Sequence, residues 1–481
     1  MKPTDTSPFK TRYSQNLRLM LALIATLPVA FVVAKGGMLA GLGLIGLPFV
    51  FFYLYLLFTY PIIGIYSYVV AGFGVSGILR YVSGLPLGLS VDGILIITWV
   101  AVAVHKTEEY DFQILKNGLV IAFAIWMGYN LLQLFNPEAR SRVAWFYAMR
   151  GVALYPLLSA PLVMLLVRSP REVDIFFILW FGLSICGALN GIKQQHFGVD
   201  RFEQAWLDAG AGTQHLLFGK LRVFSFYSDA GQFGVSQGHA LVAAGVMALR
   251  KGISLPRKAF YAITAVLCLY GMMISGTRGA LAVPGIGFFM YFVMSKNFKI
   301  VVLGIIIGIG AFSVLKFTSI GQGIYAINRM RTALDPNDPS LQVRLANQRK
   351  LSNYLASRPF GGGVGSAGNW GLRFSPGSFL AETPTDSWYV KIWAEEGIVG
   401  LWLHLIILFY IAGHSGYYIW YMEDSELRQK MMAIWGGLWG IYLASYGNGV
   451  LGQIPTGSLL NVGMAIMFLT PHLSPQAKTN D

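Results

Sequence analysis

KAFYAITAVLCLYGMMISGTRGALAVPGIGFFMYFVM, residues 258–294, is two apolar runs parted by Ser275-Gly276-Thr277-Arg278-Gly279. A helix crosses the hydrocarbon core of a bilayer in about 20 residues, so each run is long enough to span and the short polar break reads as a hairpin turn between them. An unpaired backbone group is too costly in lipid for an open structure. The stretch therefore predicts two membrane helices, near 259–276 and 279–295, and the rest of the chain repeats the pattern. Apolar runs recur near 17–34, 38–58, 61–79, 90–105, 117–134, 150–168, 172–190, 230–249, 299–316, 387–418, 430–447 and 456–472. The expected fold is an all-α polytopic membrane bundle of about 14 spans, range 12–14.

Composition agrees with a chain dissolved in lipid. It is 55% hydrophobic and 12% charged, with a mean hydropathy of +0.56, where soluble domains carry roughly 25% charge. The first apolar segment has no small-residue cleavage site and runs straight into the next, so it reads as a retained span. Cys186 and Cys268 both fall inside spans, which leaves no disulfide framework and no thiol metal site. The formal charge of +14 is spread over membrane loops and not gathered on a soluble domain, so no nucleic-acid partner is expected; membrane lipids are the expected partner of those charges.

Orientation follows from the loops. With both termini in the cytoplasm, the inner loops include RSPRE, RKGISLPRK and SKNFK, as the positive-inside rule requires. Residues 17–316 then hold spans 1–11 with an outer loop at 191–229. A large extracytoplasmic loop follows at 317–386, and the C-terminal spans at 387–472. A shorter outer loop is expected at 135–149. The outer loops favour Arg over Lys. The large one carries Arg329, Arg331, Arg344, Arg349, Arg358 and Arg373, and guanidinium grips phosphate through two parallel hydrogen bonds. A phosphate-bearing lipid is the ligand class this suggests; headgroup snorkelling and loop salt bridges are the plainer alternative. Within that loop, Asp338 can cap and Pro339 can open an amphipathic helix with Leu341, Leu345, Tyr354 and Leu355 on its apolar face, ending before Pro359. The run Gly361-Gly362-Gly363-Val364-Gly365 can turn backbone N–H groups toward an anion or serve only as a tight turn.

Several of these pieces resemble the O-antigen ligase/O-antigen polymerase superfamily of bacterial membrane glycosyltransferases. GMMISGTRGALAVPGIG (271–287) is similar to its span-end signature. LRVFSFYSDAGQFG (221–234), with Arg222, Tyr227 and Asp229, sits where the family has an Arg before a polar turn that opens a span. Pro359 to Gly365 and Trp393 to Gly400 resemble its P-x-x-G-x-G element and the E-x-G helix after it. The likeness covers roughly residues 145–415. It implies transfer of a glycan from undecaprenyl pyrophosphate on the outer face of the inner membrane, with the active site periplasmic. The pyrophosphate and substrate set it implies is Arg222, Arg278, Arg344, Arg349, Tyr227, Asp229, Gly363 and Gly365. The family's Arg-x15-Gly spacing is met by Arg222–Gly238 and Arg349–Gly365, but with 56 glycines in the chain such spacings also arise by chance.

The chain departs from the family's ligases at one place. They carry a His-Asn pair eleven and ten residues before the glycine of the E-x-G element; counting back from Gly397 gives Asp386 and Ser387. Asp386 can act as the general base on an acceptor hydroxyl or as a helix cap, and Glu382 is the nearest substitute. Glu395 falls inside the helix. None of the seven histidines stands at the family position, and they show no metal-ligand spacing. No Asp-x-Asp motif occurs, in keeping with a leaving group held by lipid, so no metal and no cofactor are expected. The missing His favours a polymerase, with a ligase passing the glycan to lipid A core or another acceptor as the alternative. A lipid-linked glycan transporter or flippase is a third reading, although no repeat relates the two halves. A chain-length regulator and a flippase are the protein partners such a polymerase would have.

Overall fold

The computed structural model describes residues 43–82, 86–217, 219–320 and 339–473, with isolated positions between 35 and 41 and between 323 and 331. The expected span at 17–34 and the expected cap Asp338 lie outside the described residues. The chain divides into two compact units, Met1–Ile63 and Gly64–Asp481. In the first, the apolar helix Gly43–Thr59 exposes Ile45, Phe49, Phe51, Phe52 and Tyr55.

The described residues of the second unit are mostly helical. Among the described residues, six helices are long and apolar enough to cross a membrane: Ile62–Tyr81, Gly118–Phe135, Arg142–Leu166, Pro170–Phe197, Leu255–Ile274 and Trp388–Tyr421. Leu89–Val104, Arg278–Met294 and Gly304–Phe317 are shorter apolar helices. The count of about 14 is therefore not reached by length and hydropathy. Part of the reason is that Ala230–Ala248, Ser425–Ala444 and Thr456–Leu473 carry polar and small residues that pack inside the bundle.

Caps fix where these helices start. Asn117, Ser141, Asp229, Ser387 and Asp424 each accept backbone N–H bonds from the first turn that follows them, satisfying donors that a helix start leaves over. Ser169 and Glu172 form a capping box with Pro170 in the first turn. Two expected loops are partly helix. The 135–149 loop contains the helix Arg142–Met149, which runs through a π turn, Arg150–Leu154, into Tyr155–Leu166. The helix Pro170–Phe197 extends past 190, and the remainder of 191–229 folds as short helical turns and a hairpin pairing Leu216–Leu217 with Lys220–Leu221.

At the centre, Ala230–Ala248 is buried along most of its length and packs on the helices at 255–274, 282–294 and 425–444. Small residues let two of these neighbours, 282–294 and 425–444, pack closely on each other: a Cβ on Gly436 would lie 2.7 Å from the Gly287 carbonyl oxygen, and one on Gly440 2.5 Å from that of Val283. Backbones in van der Waals contact are how membrane helices associate without a hydrophobic drive. One end of this core is tied by ions. Lys430 Nζ, almost wholly buried, meets Asp174 Oδ1 at 2.6 Å and Glu426 Oε1 at 3.0 Å, and Arg250 pairs with Glu426. The other end carries the candidate site.

Candidate functional site

Five chain segments far apart in sequence meet at that other end. The hairpin holds Arg222: its N–H donates to His215 O at 2.7 Å, its Nη1 to Gln214 O at 3.2 Å and its Nη2 to Thr277 Oγ1 at 3.1 Å. Thr277 Oγ1 in turn donates to Ala230 O at 2.9 Å, so the turn before Arg278 is pinned to the start of the central helix. Arg278, half-buried, opens a single 3₁₀ turn to Leu281. Asn448 is wedged between the two segments: a Cβ on Gly279 would come within 2.3 Å of its Nδ2, and one on Gly231 within 3.5 Å of its Oδ1. Its neighbour Gly447 lies beside Arg344, with 3.5 Å from a built Cβ to Nη1. Arg344 Nε stands 3.7 Å from Asp386 Oδ2. Arg222, Arg278, Arg344 and Asp386 thus belong to one contiguous patch, whose connecting residues are Thr277, Gly447 and Asn448.

Asp386 has φ +47°, which Asp tolerates better than most residues. It does not cap the helix; Ser387 does, its Oγ accepting from Val390 N–H. The strand-like approach to that cap is held from outside, with Trp388 N–H donating to Ser445 O at 3.0 Å and to Asn448 O at 3.3 Å. Asp386 is therefore left exposed beside Arg344.

The helix beyond is not one rod. Gly397 has φ +70° and ψ −172°, a region open essentially only to glycine, and residues 388–396 fold back on those after it. The Pro359–Gly363 turn fills this break. Val399 N–H donates to Pro359 O, Gly362 N–H to Ala394 O and Gly363 N–H to Glu395 O. The amides of Gly365 and Ala367 donate to the buried Glu395 carboxylate. The glycine run thus cradles the chain's own Glu395 side chain. Gly363 and Gly365, expected to face a ligand, turn their N–H groups into this joint, and a Cβ on either would strike Ala139 or the Ala144 backbone.

Two further expected site residues are engaged within the protein. Tyr227 is fully buried, its hydroxyl accepting from Gln237 Nε2 at 3.0 Å and its ring packed on Phe73 and Phe233; it is core and does not reach a ligand. The Asp229 carboxylate is taken up by Gln232 N–H and the Ser228 hydroxyl. Glu382, exposed, accepts from Gly377 N–H at 3.2 Å. Arg349 is exposed on the helix Pro339–Leu355, which buries Asn347, Leu351 and Leu355, the two leucines packed with Ala367, Leu380, Val390 and Ala394; Leu341, expected on that apolar face, is exposed.

Sequence reasoning missed the supports. Arg80 donates to Ser225 O and Tyr227 O and lies over the Trp206 and Phe224 rings at 4.4 and 4.5 Å. That contact fixes the turn that opens the central helix. His215 is buried against the same rings. Its Nδ1 donates to Ala211 O and its Nε2 accepts from Ala230 N–H. Burial pushes its imidazole below the ordinary histidine value.

The patch sits on a helical membrane protein. Residues 263–405 match the family model described as O-Antigen ligase, which supports the O-antigen ligase/polymerase superfamily for this chain. The matched stretch holds Arg278, Arg344, Asp386 and both halves of the Gly397 joint, and leaves Arg222 and Asn448 outside. No curated protein matches the chain.

Proposed function

We propose that the protein is a polysaccharide polymerase of the bacterial inner membrane. It would move an undecaprenyl-pyrophosphate-linked glycan onto an incoming lipid-linked repeat unit at the periplasmic face. The observation that carries this reading is the junction of Arg222, Arg278, Arg344 and Asp386 in one patch. Guanidinium groups at the end of a helix bundle suit a lipid pyrophosphate, and a carboxylate beside them suits an acceptor hydroxyl.

The acceptor hydroxyl gives its proton to Asp386 as its oxygen attacks C1 of the donor sugar. The C1–O bond to the pyrophosphate breaks, the electron pair leaves on undecaprenyl pyrophosphate, and the configuration at C1 inverts. Arg222, Arg278 and Arg344 neutralise the charge that develops on the leaving group. Arg349, a turn further along its helix and open to solvent, serves as an outer guide for the same anion. Before the donor binds, Arg344 is paired with Asp386. A pyrophosphate carries more charge than a carboxylate and draws Arg344 to itself, which frees Asp386 as a base only when the donor is in place.

A ligase is the second reading, favoured by the description that the matched family model carries. One experiment separates the readings. Purified protein in proteoliposomes is given lipid-linked repeat units, with or without lipid A core. A ladder of lengthening glycans without core supports the polymerase; transfer seen only with core supports the ligase; no transfer under either condition overturns both.

A further inference from the structure

The fold-back at Gly397 brings Trp388 beside His404, although 16 residues of straight helix would separate them by about 24 Å. Trp388 Nε1 donates to His404 Nε2 at 2.9 Å. Both side chains are buried, at 3% and 5% exposure. An indole N–H can only donate, so this bond makes Nε2 the acceptor and puts the histidine's proton on Nδ1.

A cavity of about 40 Å³ adjoins the pair, lined by Trp126, Tyr155, Tyr442 and Asn461 among others. His404 Nδ1 and the Tyr442 hydroxyl have no hydrogen-bond partner among the described residues. Trp388 and Gly452 both line this cavity, and a Cβ on Gly452 would lie 2.1 Å from the Trp388 ring. Its backbone is bonded to Ser445 and Asn448, and Asp386 lies two residues before it.

We infer that His404 is a positioning residue of the reaction, acting through Trp388 to hold Asp386 over Arg344. This rests on Asp386 being the base. Without the clasp the indole N–H loses its buried acceptor, and Trp388 and the segment 386–388 joined to it shift. Misplacement by about 1 Å costs on the order of 100-fold in rate.

The test compares His404→Leu, His404→Gln, Trp388→Phe and the pair Trp388→Phe/His404→Leu in the full chain in vesicles, with Asp386→Asn as reference. His404→Leu and Trp388→Phe should each lower kcat by roughly 100-fold and leave KM for the lipid-linked donor within about twofold, the mark of an interaction that matters only in the transition state. The double variant should be no slower than either single one, because both remove the same bond. Gln keeps an acceptor for the indole and should restore kcat to within about fivefold of the parent, which a space-filling role would not reproduce. Leu performing as well as Gln, or single effects that multiply in the double variant, would overturn the clasp. The two readings fail separately. Full activity in Asp386→Asn removes the base, whereas an inactive Asp386→Asn beside a full-speed His404→Leu removes the clasp alone.

Discussion

A carboxylate 3.7 Å from a guanidinium, with both half open to solvent, is a weak pair; exposed ion pairs contribute about 0–1 kcal/mol. Neither Asp386 nor Arg344 is thus needed to hold the fold, and substitutions there should report chemistry. Asp386→Asn keeps the size and removes the proton acceptor, and positioned bases contribute roughly 10²–10⁴-fold. The variant should fold with an unchanged melting temperature, bind lipid-linked glycan and fail to lengthen it. A normal glycan ladder from it would exclude the base. Arg344→Lys keeps the charge and loses the planar fork, so turnover should fall by roughly 10²-fold, as when one donor to a developing anion is removed; full turnover with Lys would mean that charge alone suffices. At this scale the residues with chemistry of their own were legible, because an Arg or Asp in a family-like position stands out in a sequence. Thr277, Gly447, Asn448 and Arg80 were not. Each matters through contacts to segments dozens to hundreds of residues away, and such contacts leave no local pattern.

Among elements, the joint at Gly397 explains why two short motifs travel together. The Pro359–Gly363 turn and the Glu395–Gly397 bend are two halves of one structure, linked by three backbone hydrogen bonds and a capped carboxylate. Gly397→Ala places a Cβ 2.0 Å from Pro359 O in a backbone region closed to it. The cost should be about 3 kcal/mol or more, visible as a steep loss of folded protein in a thermal scan. His215 makes its element sensitive to pH. Its folded value is lowered by burial, so the unfolded chain binds the proton more readily and stability rises with pH. The contribution is fully present above the ordinary histidine value, near 6.5, and is lost as pH falls below it. Melting temperature should therefore drop between pH 7 and pH 5, and drop less in His215→Gln; equal slopes would show that His215 is not the titrating group.

Across the whole molecule, the membrane-bundle class was plain from the recurring apolar runs, and the three helices between 255 and 317 were legible with their ends a few residues out. The number of spans was not, because hydropathy counts residues without regard to what they face. Ala230–Ala248 is buried by protein and can carry Gln232, Gln237 and His239, whereas Leu255–Ile274 turns Leu255, Ile263 and Val266 outward. Orientation is open to direct measurement: with both termini cytoplasmic, a single Cys at exposed Ser352 should react with an impermeant thiol reagent in intact cells and one at Ser425 should not. The reverse labelling would invert the membrane topology. The bonds from Ser445 and Asn448 to Trp388 also bear on how the protein is made. A ribosome delivers residue 386 well before residue 448, so the nascent chain carries Arg222, Arg278, Arg344 and Asp386 into the membrane before the segment that aligns them exists. A chain cut after Tyr421 should be inserted yet inert, and the cell would meet no half-synthesised enzyme able to consume its lipid-linked precursors.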